Sequence, residues 1–497
     1  MNNTKNIKKN FLYNLIYQVF LVIVPLVVTP YVSRVLLPDG IGKYSYTYSL
    51  STYFTILGSL GFSFYAQREI AKYQNDLVKQ KQIFWEINIC RLIPVIISLT
   101  FNILFCFTHL YGDYTSLMFA FSINIVALIF DIAFYYQGNE KFSKIVFRNI
   151  IIKVLSIISI FIFVKDPSDL LTYVLINTCM VLVSNISLWF TLPKGIFKFK
   201  FKELRPLSHL KGTIRLFIPT LATTIYTVLD RTLLGLLINE TYIVIENGVE
   251  VIKKYADLEN GYYDQSEKLV KMALTIITCI GTVMIPRNSS EYAKGNINCI
   301  KNNILTSSKL VWLIALPIVF GIIAVSSNVV PWFFGDGYSK CINLLNLLSP
   351  LVLIIGFSNI IGLQYLVPSG RDSKFSICLI LGSVTNLLLN LVFIPFMWSY
   401  GAALATLIAE LVVTISMFII VRKEFRLLDF FNGCYKYIIA ALIMCVITYY
   451  ISMFMSSSIL NSFCLVLIGI TIYILLLVIF KEEFTVKAIN YLKIKIK

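Results

Sequence analysis

The chain has 497 residues, 58% of them hydrophobic and 14% charged, with a mean hydropathy of +0.79; so much apolar surface needs lipid as its solvent and excludes a soluble globular domain. Its 43 Lys+Arg outnumber 26 Asp+Glu and leave a net charge of +17. These cations fall in short segments between apolar runs, as orientation signals and contacts to anionic lipid do, and no basic face spans a foldable soluble unit, so no nucleic-acid partner is expected.

In chain order, Lys5, Lys8 and Lys9 precede an apolar run that reaches Val32 with no A-x-A-like cleavage site, which marks a retained first span rather than a signal peptide. A hydrocarbon core of about 30 Å needs about 20 apolar residues. Such runs lie roughly at 12–33, 44–66, 84–108, 115–136, 146–164 and 170–192, and after a basic linker at 213–238, 265–285, 309–333, 342–366, 375–397, 401–421, 435–455 and 459–480. Alternating strands of about ten residues are absent, so the expected fold class is all-α integral membrane, with about fourteen transmembrane helices. Alternate loops place 31 of the 43 Lys+Arg on one side and six on the other. The positive-inside rule then puts both termini in the cytoplasm of a multi-pass plasma-membrane protein.

Span 1 closes on Arg34-Val-Leu-Leu37 before Gly42-Lys-Tyr44, and span 7 on Arg231-Thr-Leu-Leu234 before Gly261-Tyr-Tyr263. Span 5 opens with Lys141-Phe-Ser143 and span 11 with Lys374-Phe-Ser376. The shared order argues for a duplicated six-span unit, giving two six-helix lobes related by a parallel pseudo-two-fold repeat about an axis normal to the membrane. The expected organisation is an N-terminal lobe over 1–212 including the linker, a C-terminal lobe over 213–425, and accessory spans 13 and 14 over 426–497. An insertion, Ile238 to Asn260, reads as an external acidic loop.

A charge near the bilayer centre costs about 2.5–3.5 kcal/mol even on a lenient insertion scale, so ionisable residues inside spans should face a bundle interior or a wet cavity. Arg91, Asp131, Arg148 and Lys153 lie in the inner part of spans 3, 4 and 5. Arg34, Asp230, Arg231, Asp264, Glu267, Lys268 and Lys271 lie toward the outer ends of spans 1, 7 and 8. Both groups hold more cations than anions, which suits a pyrophosphate, whose oxygens guanidinium forks bind bidentately. The competing reading is structural, with Arg91 and Asp131, or Asp230 and a neighbour, as salt bridges between helices. Asp264, Lys268 and Lys271 share one face of span 8.

Tyr44, Tyr48, Thr52 and Thr55 form a stripe along span 2. Hydroxyls and aromatic faces suit sugars, although tyrosines also belt the membrane interface. Glu410, deep in span 12, is a candidate for coupling transport to a proton or cation, or else a neutral packing group. Pro25, Pro30, Pro94, Pro219 and Pro317 each remove a helical hydrogen bond and permit a kink. The ten cysteines are scattered without C-x-x-C spacing, and His109 and His209 have no ligand-spaced partner. No metal site is expected, and no cofactor.

No G-x-x-x-x-G-K-[ST] phosphate loop is present. The external loops lack the acidic pairs of a membrane glycosyltransferase, so a transporter without covalent chemistry is expected. The segments DIAFYYQGNEK (Asp131 to Lys141) followed by Arg148-Asn149, LDRTLLG (Leu229 to Gly235), NGYY (Asn260 to Tyr263) and GAALATLIAE (Gly401 to Glu410) resemble the Wzx-type polysaccharide repeat-unit flippases of the multidrug/oligosaccharidyl-lipid/polysaccharide exporter superfamily, and the likeness covers essentially the whole chain. It implies two lobes in a V that open alternately to either side, and a cationic cavity for undecaprenyl-pyrophosphate-linked oligosaccharide in capsule or exopolysaccharide biosynthesis. It also implies functional charges at Arg34, Arg91, Asp131, Asp230, Arg231 and Glu410. The expected partners are the lipid-linked substrate, membrane lipids, a polysaccharide polymerase and glycosyltransferases, and the expected state is a monomer. The 238–260 insertion departs from the compact loop of that pattern. Two rivals stand beside this reading: a cation-coupled drug or metabolite antiporter of the same superfamily, which should have an apolar cavity with coupling carboxylates, and a membrane-embedded glycosyltransferase or polymerase, which would turn over in detergent.

Overall fold

The computed structural model describes residues 2–108, 111–197, 204–246 and 249–486, so His109 lies outside the described residues. Two compact units follow one another, Met1–Gly235 and Leu236–Lys497. The first holds α1 (Asn2–Ser59), α2 (Phe62–Lys72), α3 (Leu77–Phe107), α4 (Thr115–Ala127), α5 (Ala133–Gly138), α6 (Phe142–Phe163), α7 (Leu170–Trp189) and nearly all of α8 (Leu210–Leu237).

Spans 1 and 2 form one element, α1, interrupted at Leu37 (φ 59°, ψ 170°). A residue before proline is driven out of the helical region. Pro38, which has no N–H, then begins the second arm where that donor would lack a partner anyway. At Pro25, Pro30, Pro94 and Pro317 the backbone stays helical, so these prolines make no sharp break.

Span 4 does break. After α4 a tight turn covers Leu128–Phe130, Asp131 is extended, and α5 restarts at Ala133. Phe62, Ile70, Phe84, Ile87, Phe134 and Tyr136 form a buried core joining α2, α3 and α5. Gly138 fits there because a Cβ would meet the Gln67 carbonyl oxygen at 2.8 Å. The linker is fastened to the same region: Glu86 accepts from the Arg205 N–H (2.8 Å) and pairs with His209 Nε2 (2.9 Å), while the Tyr65 hydroxyl meets His209 Nδ1 (2.9 Å). Sequence spacing offered His209 no partner; the fold brings it two, 123 and 144 residues away.

In the second unit the insertion is a β-hairpin, β1 (Thr241–Glu246) antiparallel to β2 (Val249–Lys254), with Ile243 opposite Ile252. Strands of six residues are too short to cross a bilayer, which takes about 9–11. The unit continues with α9 (Tyr255–Ala293), α10 (Ile297–Phe334), α11 (Lys340–Leu348), α12 (Leu351–Ile361), α13 (Asp372–Val421), the short α14 (Leu427–Phe430), α15 (Cys434–Ser452) and α16 (Ile459–Ile479). Spans 11 and 12 share α13, broken at Trp398 (φ 53°, ψ −126°). The last two spans pack on α10: Asn328 donates to the Ser452 and Met455 carbonyls (3.3 and 2.8 Å), and the Tyr473 hydroxyl to the Leu313 carbonyl (3.1 Å).

Among the described residues, 11 helical stretches are long and apolar enough to cross a membrane. Two of them, of 51 and 50 residues, contain the breaks at Leu37 and Trp398, and at 1.5 Å rise per residue each is long enough for two crossings. The all-α integral-membrane class is as the sequence implies; these lengths allow thirteen crossings, and α8, of 28 residues, supplies a fourteenth, consistent with the expected number.

Candidate functional site

The first unit holds a half-open cavity of about 350 Å³, within the range of small-molecule sites. One wall is aromatic. Tyr44 and Tyr48, one turn apart on the second arm of α1, hold their rings nearly parallel (13°) with centroids 6.0 Å apart, and Phe121 of α4 lies 5.8 Å from Tyr44. The other walls carry the polar groups, interspersed with Ile152, Met180 and Val181. From α6 come Asn149, Lys153 and Ser156, spaced so that they share one face, and from α7 Asn177, Ser184 and Asn185. Asn124 of α4 completes a set of four carboxamides.

Neighbours fix these amides. Asn177 Nδ2 donates to the Tyr173 carbonyl and Asn185 Nδ2 to the Ala127 carbonyl, both at 2.9 Å. Arg148 donates from Nε and a terminal nitrogen to Asn149 Oδ1 (3.0 and 2.5 Å) and from its other terminal nitrogen to the Ser184 carbonyl (3.0 Å). The cavity thus gathers Tyr44, Tyr48 and Lys153 from the residues the sequence singles out, with Arg148 one step behind the wall.

The rest of the hydroxyl stripe turns elsewhere. Thr52 Oγ1 donates to the Tyr48 carbonyl (2.8 Å) and Thr55 Oγ1 to the Ser51 carbonyl (2.9 Å), each one turn back on its own helix. A neighbouring face of the same arm packs on α8: Tyr53 meets Thr232 (2.9 Å), Thr232 donates to Ser49 (3.0 Å), and the Tyr46 ring lies where a Cβ on Gly235 would fall.

Arg91 is buried, 2% exposed. It donates to the carbonyls of Asp131 (2.5 Å) and Ile129 (3.0 Å) and to Asn88 Oδ1 (2.6 Å), closing the break in span 4, while Asp131 Oδ1 accepts from the Ala133 N–H (3.0 Å) at the start of α5. Both residues therefore stabilise the broken helix. Arg34 stands exposed one turn before the Leu37 break; on α8, Asp230 is buried and Arg231 half-buried. Along α9 the charges pair within the helix, Asp264 with Lys268 (3.4 Å) and Glu267 with Lys271 (2.7 Å), the carboxylates buried and the ammonium groups toward the surface. Glu410 is half-buried on the second arm of α13. One turn before it, Thr406 meets the Tyr263 hydroxyl (3.1 Å) and accepts from Asn386 Nδ2 (3.4 Å).

Sequence reasoning missed Glu259 and Lys340. Glu259 is buried in the second unit, 2.7 Å from Lys340 Nζ through both oxygens, and it accepts from the Ser399 N–H (3.2 Å) and the Ser399 hydroxyl. Lys340 also lies over the Tyr400 and Trp398 rings, 4.9 and 5.4 Å from their centroids. No local pattern marks this pair, 81 residues apart.

A family model described as polysaccharide biosynthesis protein matches residues 7–292, more than half of the chain. The chain belongs to this family. It is 25% identical over 432 residues to a candidate O-antigen transporter of Escherichia coli (strain K12), covering 85% of this chain and 99% of that relative. It is also 25% identical over 162 residues to Lipid II flippase MurJ of Bacillus subtilis (strain 168), covering 32% of this chain and 29% of that relative. Its fold is that of Lipid II flippase MurJ in an inward closed conformation (TM-score 0.66, 18% identity, 95% of this chain and 99% of that one). An inward-facing multidrug resistance MATE family transporter of the MOP superfamily shares it too (TM-score 0.62, 14% identity, 81% and 93%).

Proposed function

We propose that the protein is a flippase that moves lipid-linked saccharide across the plasma membrane by alternating access, its cargo the undecaprenyl-pyrophosphate-linked repeat unit of a capsular or exopolysaccharide. The observation that carries the reading is the cavity: in a family of polysaccharide biosynthesis proteins, a membrane-embedded unit presents four carboxamides, three hydroxyls and a tyrosine pair, the groups that hydrogen-bond sugar hydroxyls and stack on sugar rings. The head group enters from the cytoplasmic side, on which the Lys/Arg asymmetry also places both termini. The pyrophosphate passes Arg34 and Arg231 while the lipid tail stays in the bilayer. Glu410 couples the cycle to a cation, and the lobes follow the repeat boundary near residue 212.

The test is leaflet transfer of a fluorescent lipid-pyrophosphate oligosaccharide in vesicles holding the purified protein. Arg34→Ala and Arg231→Ala are each expected to slow transfer about tenfold or more, the loss of one charge-assisted contact to the diphosphate. Full-rate transfer in both variants would remove these arginines from the path, and exchange of drug-like cations without saccharide transfer would favour the antiporter.

A further inference from the structure

We propose that the hairpin inserted after α8 is a lipid-docking element: it lies on the bilayer surface with its isoleucine face turned into the leaflet beside it. By the Lys/Arg asymmetry that leaflet is the outer one. The inference rests on the membrane class of the protein and not on its cargo.

Alternation along the strands gives the hairpin two faces. Ile243 stands opposite Ile252 and Ile245 opposite Glu250, so the three isoleucines share one face. Ile243, Ile245 and Ile252 are 63, 72 and 70% exposed. The other face is turned to the body of the unit, where Val244 and Val251 are half-buried and the Tyr242 ring lies 4.8 Å from that of Tyr255. A sheet with one face in water carries apolar residues inward and polar residues outward. This ribbon carries aliphatic residues on both faces. Left in water, such a face is an aggregation site, and a cluster of exposed aliphatic side chains marks a surface that something apolar covers.

Position identifies the cover. Three residues separate Leu237, the last of α8, from Thr241, and Lys254 leads directly into Tyr255, the first of α9. The Tyr255 N–H donates to the Glu240 carbonyl (3.0 Å) and closes the base of the hairpin. Tyr255 in turn lies 5.2 Å from Trp398, the residue at which α13 turns between its two spans. Tyrosine and tryptophan collect at the membrane–water interface, so the base of the hairpin stands in the aromatic belt. Leu236 in the last turn of α8 and Phe396 just before the α13 joint are 55 and 83% exposed, the exposure of side chains that face lipid. The isoleucine face continues that apolar surface. Charge is neutral in effect, because Glu246 and Glu250 balance Lys253 and Lys254 along the two strands. Without a net pull on anionic head groups, the attraction has to come from the apolar face.

Photocrosslinking reads the contact directly. The photoreactive residue p-benzoylphenylalanine is placed at position 252 or, as the control on the opposite face, at position 244, in the purified full chain in vesicles of phosphatidylcholine with or without phosphatidylglycerol. Irradiation is expected to give an adduct of phospholipid mass at 252, in severalfold higher yield than at 244 and equally in the two lipid mixtures. Adding Ile243→Ser and Ile245→Ser should cut the yield at 252 severalfold with an unchanged unfolding midpoint, since both side chains are exposed; the comparison of 252 with 244 stands without this variant. Equal yields at 252 and 244, a yield that survives the serines, or one that rises with phosphatidylglycerol would overturn the assignment. So would a crosslinked dimer in place of the lipid adduct, which would give the face to a second copy, or, in whole membranes, an adduct to another polypeptide.

Discussion

Where span 4 breaks at Asp131, backbone carbonyls lose their helical donors inside a membrane unit, and the guanidinium of Arg91 supplies replacements. A lipid-buried carbonyl without a donor costs several kcal/mol, so a conserving change is already severe. Arg91→Met is expected to lower stability by about 2–4 kcal/mol, two unmade hydrogen bonds at about 1–3 kcal/mol each less some relaxation, measured as the shift in the unfolding midpoint of purified protein. A normal midpoint with lost transport would instead return Arg91 to the substrate path. The sequence marks Arg91 and Asp131 equally well as cavity charges or as partners of each other. It could not decide, because the partners that matter are main-chain carbonyls exposed by a helix break, and no residue pattern announces them. Tyr44, Tyr48 and Lys153 were legible for the opposite reason: helical spacing alone puts the two tyrosines on one face, and a lysine inside a span must look inward.

At the scale of elements, the two long helices show how far hydropathy reaches. It locates all four spans inside α1 and α13 but reads the joints as loops, because helix continuity across a single non-helical residue leaves no compositional trace. Both joint residues have positive φ without being glycine, a conformation that costs about 1–3 kcal/mol and persists where neighbours enforce it. At Trp398 the neighbours are Glu259, which accepts from Ser399, and Gly401, whose Cβ position lies 2.5 Å from the Phe393 carbonyl oxygen. Gly401→Ala therefore forces the two arms of α13 apart and is expected to destabilise the second unit by about 1–3 kcal/mol, while Ala403→Gly nearby should leave the two arms in place and cost only helix propensity and one buried methyl, about 1–2 kcal/mol. Equal midpoints for the Gly401→Ala variant and the wild type would contradict the account of the joint. The hairpin is a different omission: Asn247-Gly248 between runs of β-branched residues is a strong hairpin signal, eclipsed in the reading by the surrounding acids.

For the whole molecule, composition alone gives the class, and family membership agrees with it. Contacts carry the first unit through α8 to Gly235, past the lobe boundary at 212 expected from the Arg-x-Leu-Leu pattern. Beyond the last span, Glu482 fastens the chain after α16. Burial pushes its carboxyl upward, but bonds from the Phe484 N–H (3.0 Å), the Tyr437 hydroxyl (2.6 Å) and the Thr485 N–H (2.8 Å) outweigh burial and hold it below the usual glutamate value. A lowered folded-state pKa stabilises above the unfolded value of about 4.3 and loses that contribution as pH falls through the lowered one. Glu482→Gln should therefore lower the unfolding midpoint at neutral pH, with a gap to wild type that shrinks as the medium is acidified below about pH 4; a gap that stays constant with pH would show that the carboxylate charge is not what fastens the chain.

In the proposed cycle the glycan, not only the lipid diphosphate, is handled within the first unit. Its most direct test compares leaflet transfer of one polyprenyl-pyrophosphate lipid with and without its saccharide, in vesicles carrying wild type or Tyr48→Ala. Wild type is expected to move the saccharide-bearing lipid much faster than the bare one, and Tyr48→Ala to remove most of that difference. Equal rates for the two lipids in wild type would contradict it.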